Sequence, residues 1–122
     1  MGSVSISFDP YPSIRVPPEL KAQMSTLGTS LQMGGLISRV DPTYPGEAER
    51  QHVEGTVKLH AIIGTDGTIR SIEVLSGPPL LAQAAARAVQ QWRYKQTSLG
   101  GRPIETEEDV VAVFRLQTQK VR

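Results

Sequence analysis

The chain of 122 residues has no cysteine, which excludes disulfides and thiolate metal sites. Its net charge is only +1, so nothing indicates a polyanionic partner such as nucleic acid. No apolar run approaches the ~20 residues that span a bilayer, and the amino terminus lacks the features of a signal peptide. We therefore expect a soluble chain as given. Met1-Gly2-Ser3 looks like an expression start and is compatible with a membrane anchor further upstream.

Sequence motifs of catalysis are missing as well. The chain contains no GxSxG, no P-loop and no dinucleotide fingerprint. His52 and His60 are the only histidines, and no other metal ligands converge with them in spacing, so we expect exposed surface positions for both. A run of four acids, typical of a solvated face, comprises Glu105, Glu107, Glu108 and Asp109. We expect neither an enzyme nor a bound metal or cofactor.

The most informative pattern covers residues 54–94 and predicts a β-hairpin followed by a helix. Residues 56–63 alternate apolar and polar side chains, as a half-buried strand does. Thr65-Asp66-Gly67-Thr68 then predicts a tight turn, because Gly67 can take a positive φ. In the second strand, the alternation of apolar and polar side chains is interrupted at Arg70-Ser71, which predicts a bulge at the start of this strand.

Two prolines, Pro78 and Pro79, end that strand, and Pro79 is well placed to open a helix. Apolar residues then recur at helical spacing, namely Leu81, Ala84, Ala85, Ala88, Val89 and Trp92. The alanines let the helix approach a sheet closely, and Trp92 would fill the gap at the far end. We expect most aromatic residues in the core, with Tyr44 as the exception because it lies at an element boundary.

The rest of the chain completes one domain. Residues 4–8 alternate strictly and fit a short strand, residues 45–52 fit a short helix that begins at Pro45, and residues 110–116 form a strand. This last strand is apolar on both faces, so it is either central in a sheet or an edge open to pairing.

We predict a small α+β domain, with two helices packed on one face of a three-stranded antiparallel sheet. Residues 1–35 would form a partly ordered arm or linker, residues 36–117 the domain and residues 118–122 a polar tail.

Five motifs occur in the order and spacing of a known family. They are Asp41-Pro42-x-Tyr44-Pro45, Glu54-Gly55-x-Val57, Asp66-Gly67, Leu75-Ser76-Gly77 and Ala85…Ala88-Val89…Trp92-Arg93-Tyr94. Together they resemble the C-terminal domain of TonB-type energy transducers of Gram-negative bacteria. The resemblance covers roughly residues 36–116 and implies a helix-strand-strand-helix-strand domain in the periplasm, tethered upstream to the inner membrane.

The resemblance also implies partners and a site. Such domains bind the TonB box, a short extended segment of TonB-dependent outer-membrane receptors, and transmit force from the proton-driven ExbB–ExbD motor for nutrient uptake. The box adds as a strand beside the last strand of the domain, whose unpaired edge would supply main-chain donors and acceptors. The expected partner-binding residues are Asp41, Thr43, Tyr44, Val110, Val111, Ala112, Val113, Phe114, Arg115 and Leu116.

Two other hypotheses compete with this one. The same fold could serve as a sensing or scaffolding module of another membrane protein, without receptor energisation. A homodimer formed through the exposed strand is the other candidate. In addition, residues 4–8 would act as a built-in competitor of the receptor segment if they lay on the edge of the last strand.

Overall fold

A computed structural model describes residues 2–8, 12–15 and 31–116 of the chain. Neither helix in these ranges combines the length and the apolar character of a membrane span. The predicted polar tail, residues 118–122, lies outside the described residues.

Two helices and nine strands are formed in the described part of the chain. In order they are β1 (Gly2–Ser7), β2 (Ser13–Arg15), β3 (Leu31–Gln32), β4 (Leu36–Ser38), α1 (Gly46–Arg50), β5 (Gly55–Ile63), β6 (Ile69–Ser76), α2 (Pro79–Val89), β7 (Arg93–Tyr94), β8 (Thr97–Leu99) and β9 (Arg102–Leu116).

The strand β9 is the centre of the main sheet. On one side it pairs antiparallel with β5, which in turn pairs with β6. Three shorter strands, β8, β2 and β1, also pair with β9, and β3 pairs with β8. The described residues thus form a sheet of seven strands, so the predicted three-stranded sheet is wrong. The physical reason is the length of β9, since 15 residues offer pairing positions to several short strands.

The predicted start of the last strand is wrong, because the acid run that precedes Val110 is part of the strand. β9 begins at Arg102 and not at Val110. Charged and buried residues alternate from Ile104 onwards, because Glu105, Glu107 and Asp109 lie on the outward face of the strand. The expectation of four solvated acids is wrong for Glu108, which is buried on the inward face.

The hairpin and its irregularity are formed as predicted. Gly67 has φ 86°, and the Gly64 amide donates to the carbonyl of Thr68 across the turn. The register shifts after the turn, from Ile63 opposite Ile69 to Ile62 opposite Ser71, which leaves Arg70 as the bulged residue. Gly67 also has a packing role, since a Cβ there would lie 1.9 Å from the Tyr94 carbonyl oxygen.

The core lies between the inward face of the sheet and α2. β5 and β9 contribute side chains that are almost fully buried, namely Val57, Leu59, Ala61, Ile63, Val110, Ala112 and Phe114. Against them α2 packs its alanine-rich face, with Leu81 and Ala85 fully buried. Trp92 closes the far end of the core, and its indole N–H donates to the Val40 carbonyl at 2.9 Å.

Candidate partner-binding site

The carboxyl-terminal half of β9 contains most of the predicted site residues. Their side chains alternate between two faces. Val110, Ala112 and Phe114 point into the core and are fully buried. Val111 and Val113 lie half-buried on the outward face. The apolar character of both faces therefore reflects a strand that is covered on one side and partly exposed on the other.

The backbone groups of β9 also alternate in direction. Leu116 N–H donates to Glu54 Oε2 at 3.1 Å, on the side of β5. Since the N–H groups of successive strand residues point to opposite sides, Val111, Val113 and Arg115 direct theirs away from β5. The register is continuous from residue 111 to residue 116, so this assignment holds over the whole segment.

The strand β1 occupies this side of β9. It runs antiparallel, with Gly2 opposite Leu116, Ser5 opposite Val113 and Ser7 opposite Val111. Further along, β2 pairs in the same direction with residues 105–107 of β9. The edge that was expected to be unpaired at Val110 to Leu116 is therefore occupied over residues 111–116.

Tyr44 lies directly beside the paired edge and belongs to the core, so its expected exception from the core is wrong. It is 9% exposed, and its ring meets the Phe114 ring edge-on with centroids 5.5 Å apart. Its hydroxyl donates to the Val53 carbonyl. Burial raises the pKa of this hydroxyl, and the charges of Glu54 and Glu49 raise it further. Tyr44 thus joins the 40–45 segment to the inward face of β9.

Asp41 and Thr43 lie apart from the β9 edge. Both are exposed, and Asp41 Oδ1 is paired with Arg39 Nε at 3.0 Å. They line a groove of about 560 Å³ between the segment 40–47 and the outer face of α2, together with Leu80, Gln83 and Arg87. Tyr44 also lines this groove, so it is the one predicted residue that connects the groove with the strand edge.

A ladder of ion pairs crosses the outward face of the sheet. His60 lies between two acids, with Nδ1 2.7 Å from Asp109 Oδ1 and Nε2 2.8 Å from Glu107 Oε1. The hydrogen bond to Asp109 raises the pKa of His60, although partial burial opposes this shift. Arg15 of β2 pairs with Glu105 at 3.3 Å, and Glu105 also pairs with Arg70 of β6. The ladder therefore ties β2, β9, β5 and β6 together.

Some residues beside the edge were not predicted from the sequence. Gly2 N–H donates to Glu49 Oε2 at 3.0 Å, and the Gly2 backbone lies against the Tyr44 ring. Neither Gly2 nor Glu49 carries a local signal for this contact. Alternation over residues 4–8 did predict a strand, and the ring of Phe8 contacts Trp92 with centroids 5.0 Å apart.

The sequence of this domain is similar to that of known proteins. Residues 40–116 match the family model described as Gram-negative bacterial TonB protein C-terminal. Protein TonB of Klebsiella pneumoniae is 38% identical over 69 residues, which cover 55% of this chain and 27% of that protein. Protein TonB of Pseudomonas aeruginosa is 28% identical over 85 residues, which cover 67% of this chain and 25% of that protein.

A solved structure has the same fold. The solution NMR structure of the TonB CTD of Pseudomonas aeruginosa superimposes with a TM-score of 0.52, at 24% sequence identity. The match covers 75% of this chain and 90% of that chain. The aligned region spans only about a quarter of the length of these two TonB relatives.

Proposed function

This chain belongs to the family of Gram-negative TonB C-terminal domains, and we propose that it is the receptor-binding domain of a periplasmic energy transducer. In this proposal it binds the TonB box of outer-membrane receptors by β-strand addition. It then passes on force for nutrient uptake. In the same proposal, a part N-terminal to the domain provides the inner-membrane anchor and the contacts with ExbB and ExbD.

The observation that carries the proposal is the strand pairing on the outer side of β9. Residues 111–114 of β9 pair with β5 on one side, and residues 111–116 accept β1, a separate extended segment, on the other. An edge that accepts one extended segment has the donors and acceptors for another. Because main-chain hydrogen bonds supply much of the affinity, such an edge suits a transducer that serves receptors of differing sequence.

Side-chain contacts would come from the two surfaces that meet at Tyr44. Val111 and Val113 present an apolar outward face for alternate side chains of the receptor segment. Asp41 and Thr43 line the groove beside α2, where residues that flank the box would bind. In this arrangement the backbone of β9 provides affinity and the groove adds selectivity.

Paramagnetic NMR tests the location of the site. The isotope-labelled domain is titrated with a receptor plug peptide that contains a TonB box and carries a spin label at one end. We expect broadening of amide signals centred on residues 110–116, with shifts at residues 41–44. The matched control is the same peptide with a proline in the middle of the box, which removes a main-chain donor and should weaken binding by about tenfold or more.

Two results would count against the proposal. Broadening confined to the groove between residues 40–47 and α2 would rule out strand addition. An absence of shifts with several plug peptides would favour the alternative function, a sensing or scaffolding module of another membrane protein.

A further inference from the structure

The strand β1 resembles a bound peptide more than a core strand. Its side chains alternate between exposed serines and half-buried apolar residues, and none of them is fully buried. Val4 and Ile6 pack against the edge of a core whose fully buried residues come from other elements. Removal of β1 would therefore expose apolar surface without taking a central residue out of the core.

Contacts at both ends hold β1 in register. At the first end, the Gly2 backbone lies so close to Tyr44 that a Cβ would come within 2.2 Å of the ring. At the other end, Phe8 lies edge-on against Trp92, and the Arg39 guanidinium lies 5.4 Å above the Phe8 ring. β1 thus covers Tyr44 as well as residues 111–116 of β9, which are two parts of the proposed receptor site.

We propose that β1 is an internal occupant of the receptor-binding edge, and that a receptor segment binds by displacing it. This inference rests on the proposed function. The N–H groups of Val111, Val113 and Arg115 can serve only one strand at a time, so β1 and the receptor segment exclude each other. The observed receptor affinity is then the intrinsic affinity multiplied by the small fraction of molecules in which β1 is open.

The surface that β1 occupies on β9 also indicates the chemistry of the receptor segment. The inward positions accept Val4, Ile6 and Phe8, whereas the outward positions carry only serine. The partner is therefore an extended segment with apolar side chains at every second position and no requirement for charge on its outward face. A small residue is required where the strand passes over Tyr44, because the Tyr44 ring leaves no room for a side chain at the position of Gly2.

A reversible cross-link provides the main test. Ser5 and Val113 are directly opposite each other, and antiparallel partners lie within the Cα separation that a disulfide requires. The chain has no cysteine of its own, so the double variant Ser5→Cys/Val113→Cys forms a defined bond. The oxidised protein should bind the plug peptide at least about tenfold more weakly than the same protein after reduction.

The control cross-link joins strands that both stay in place. Ile62 and Ser71 are partners in the β5–β6 hairpin, so Ile62→Cys/Ser71→Cys should bind the peptide equally well when oxidised and when reduced. Equal binding by the oxidised and reduced forms of the Ser5–Val113 variant would overturn the displacement proposal while leaving receptor binding intact.

A second pair of variants opens the edge without a cross-link. Ile6→Asp places a charge on the inward face of β1 and should raise the affinity for the plug peptide several-fold, whereas Ser5→Asp on the outward face should not.

A synthetic peptide with the sequence of residues 2–8 should bind the Ile6→Asp protein, and a scrambled peptide should not. If the residue 2–8 peptide binds and no plug peptide does, the proposed function fails, but β9 is still shown to bind an extended segment at this edge. If neither binds, both proposals fail.

Discussion

At the scale of single residues, Tyr44 shows how a short motif reaches distant parts of the chain. Its ring packs on Phe114 of β9, its edge lies against the Gly2 backbone, and its hydroxyl donates to the carbonyl of Val53. The family motif predicts Tyr44 as a site residue, but a local motif does not indicate that this residue is buried. Burial here depends on β1 and β9, which lie far from residue 44 in the sequence.

His60 makes stability depend on pH. Because the hydrogen bond to Asp109 raises its pKa in the folded state above the ordinary value of 6.5, the protonated form stabilises the fold. This contribution is fully present below about pH 6.5 and is lost as the pH rises through the raised folded-state pKa. Because the imidazole is partly exposed, we expect the contribution to stay below about 1 kcal/mol.

Thermal unfolding of the wild type and of His60→Gln between pH 5 and pH 9 measures this effect. The stability difference should favour the wild type at pH 5 and shrink towards the alkaline end. An NMR titration of His60 gives its folded-state pKa directly. A difference between the two proteins that does not change with pH would show that the carboxylate of Asp109 does not stabilise the imidazolium.

At the scale of elements, local patterns predicted what depends on local chemistry. The hairpin turn, the bulge at Arg70 and the helix α2 all follow from glycine, proline and apolar spacing within about 40 residues. The full length of β9 did not follow, because its first half alternates acids with buried residues and so resembles a charged loop. Arg15, Arg70 and His60 neutralise the outward acids, and these partners come from three different strands.

Pairing partners were the other feature that the sequence left open. Alternation at residues 4–8 predicted a strand and raised the idea of a competitor, but no local signal specifies the register between β1 and β9. That register depends on inward apolar residues meeting a complementary core surface about 110 residues later, with Val4 opposite Phe114 and Ile6 opposite Ala112.

Hydrogen exchange on β9 should separate the two sides of the strand. The N–H groups of Val111 and Val113 point to β1, whereas those of Ala112 and Phe114 point to β5. Local opening of β1 exposes the first pair only, so their exchange should be faster by about tenfold or more. The second pair is an internal control in the same strand. Equal protection of both pairs would show that β1 and β5 leave β9 in one cooperative step.

At the scale of the whole molecule, β1 brings the two ends of the described chain together. Gly2 lies opposite Leu116, so the pairing of β1 with β9 closes a loop that contains nearly the entire domain. A strand with such a distant partner can also be exchanged between two copies, since the same contacts form within one chain or across two. The sequence-based hypothesis of a homodimer therefore has a specific structural form, in which each copy places β1 on the β9 strand of the other.

The Ser5→Cys/Val113→Cys variant distinguishes these two arrangements. If β1 pairs with β9 of its own chain, oxidation at high protein concentration gives a cross-linked monomer of 13.3 kDa on a non-reducing gel. If copies exchange β1, oxidation gives covalent dimers that disappear on reduction. We expect the monomer, because intramolecular pairing joins two segments of one folded chain without the entropic cost of association. Covalent dimers as the main product would assign the occupied edge to a dimer interface.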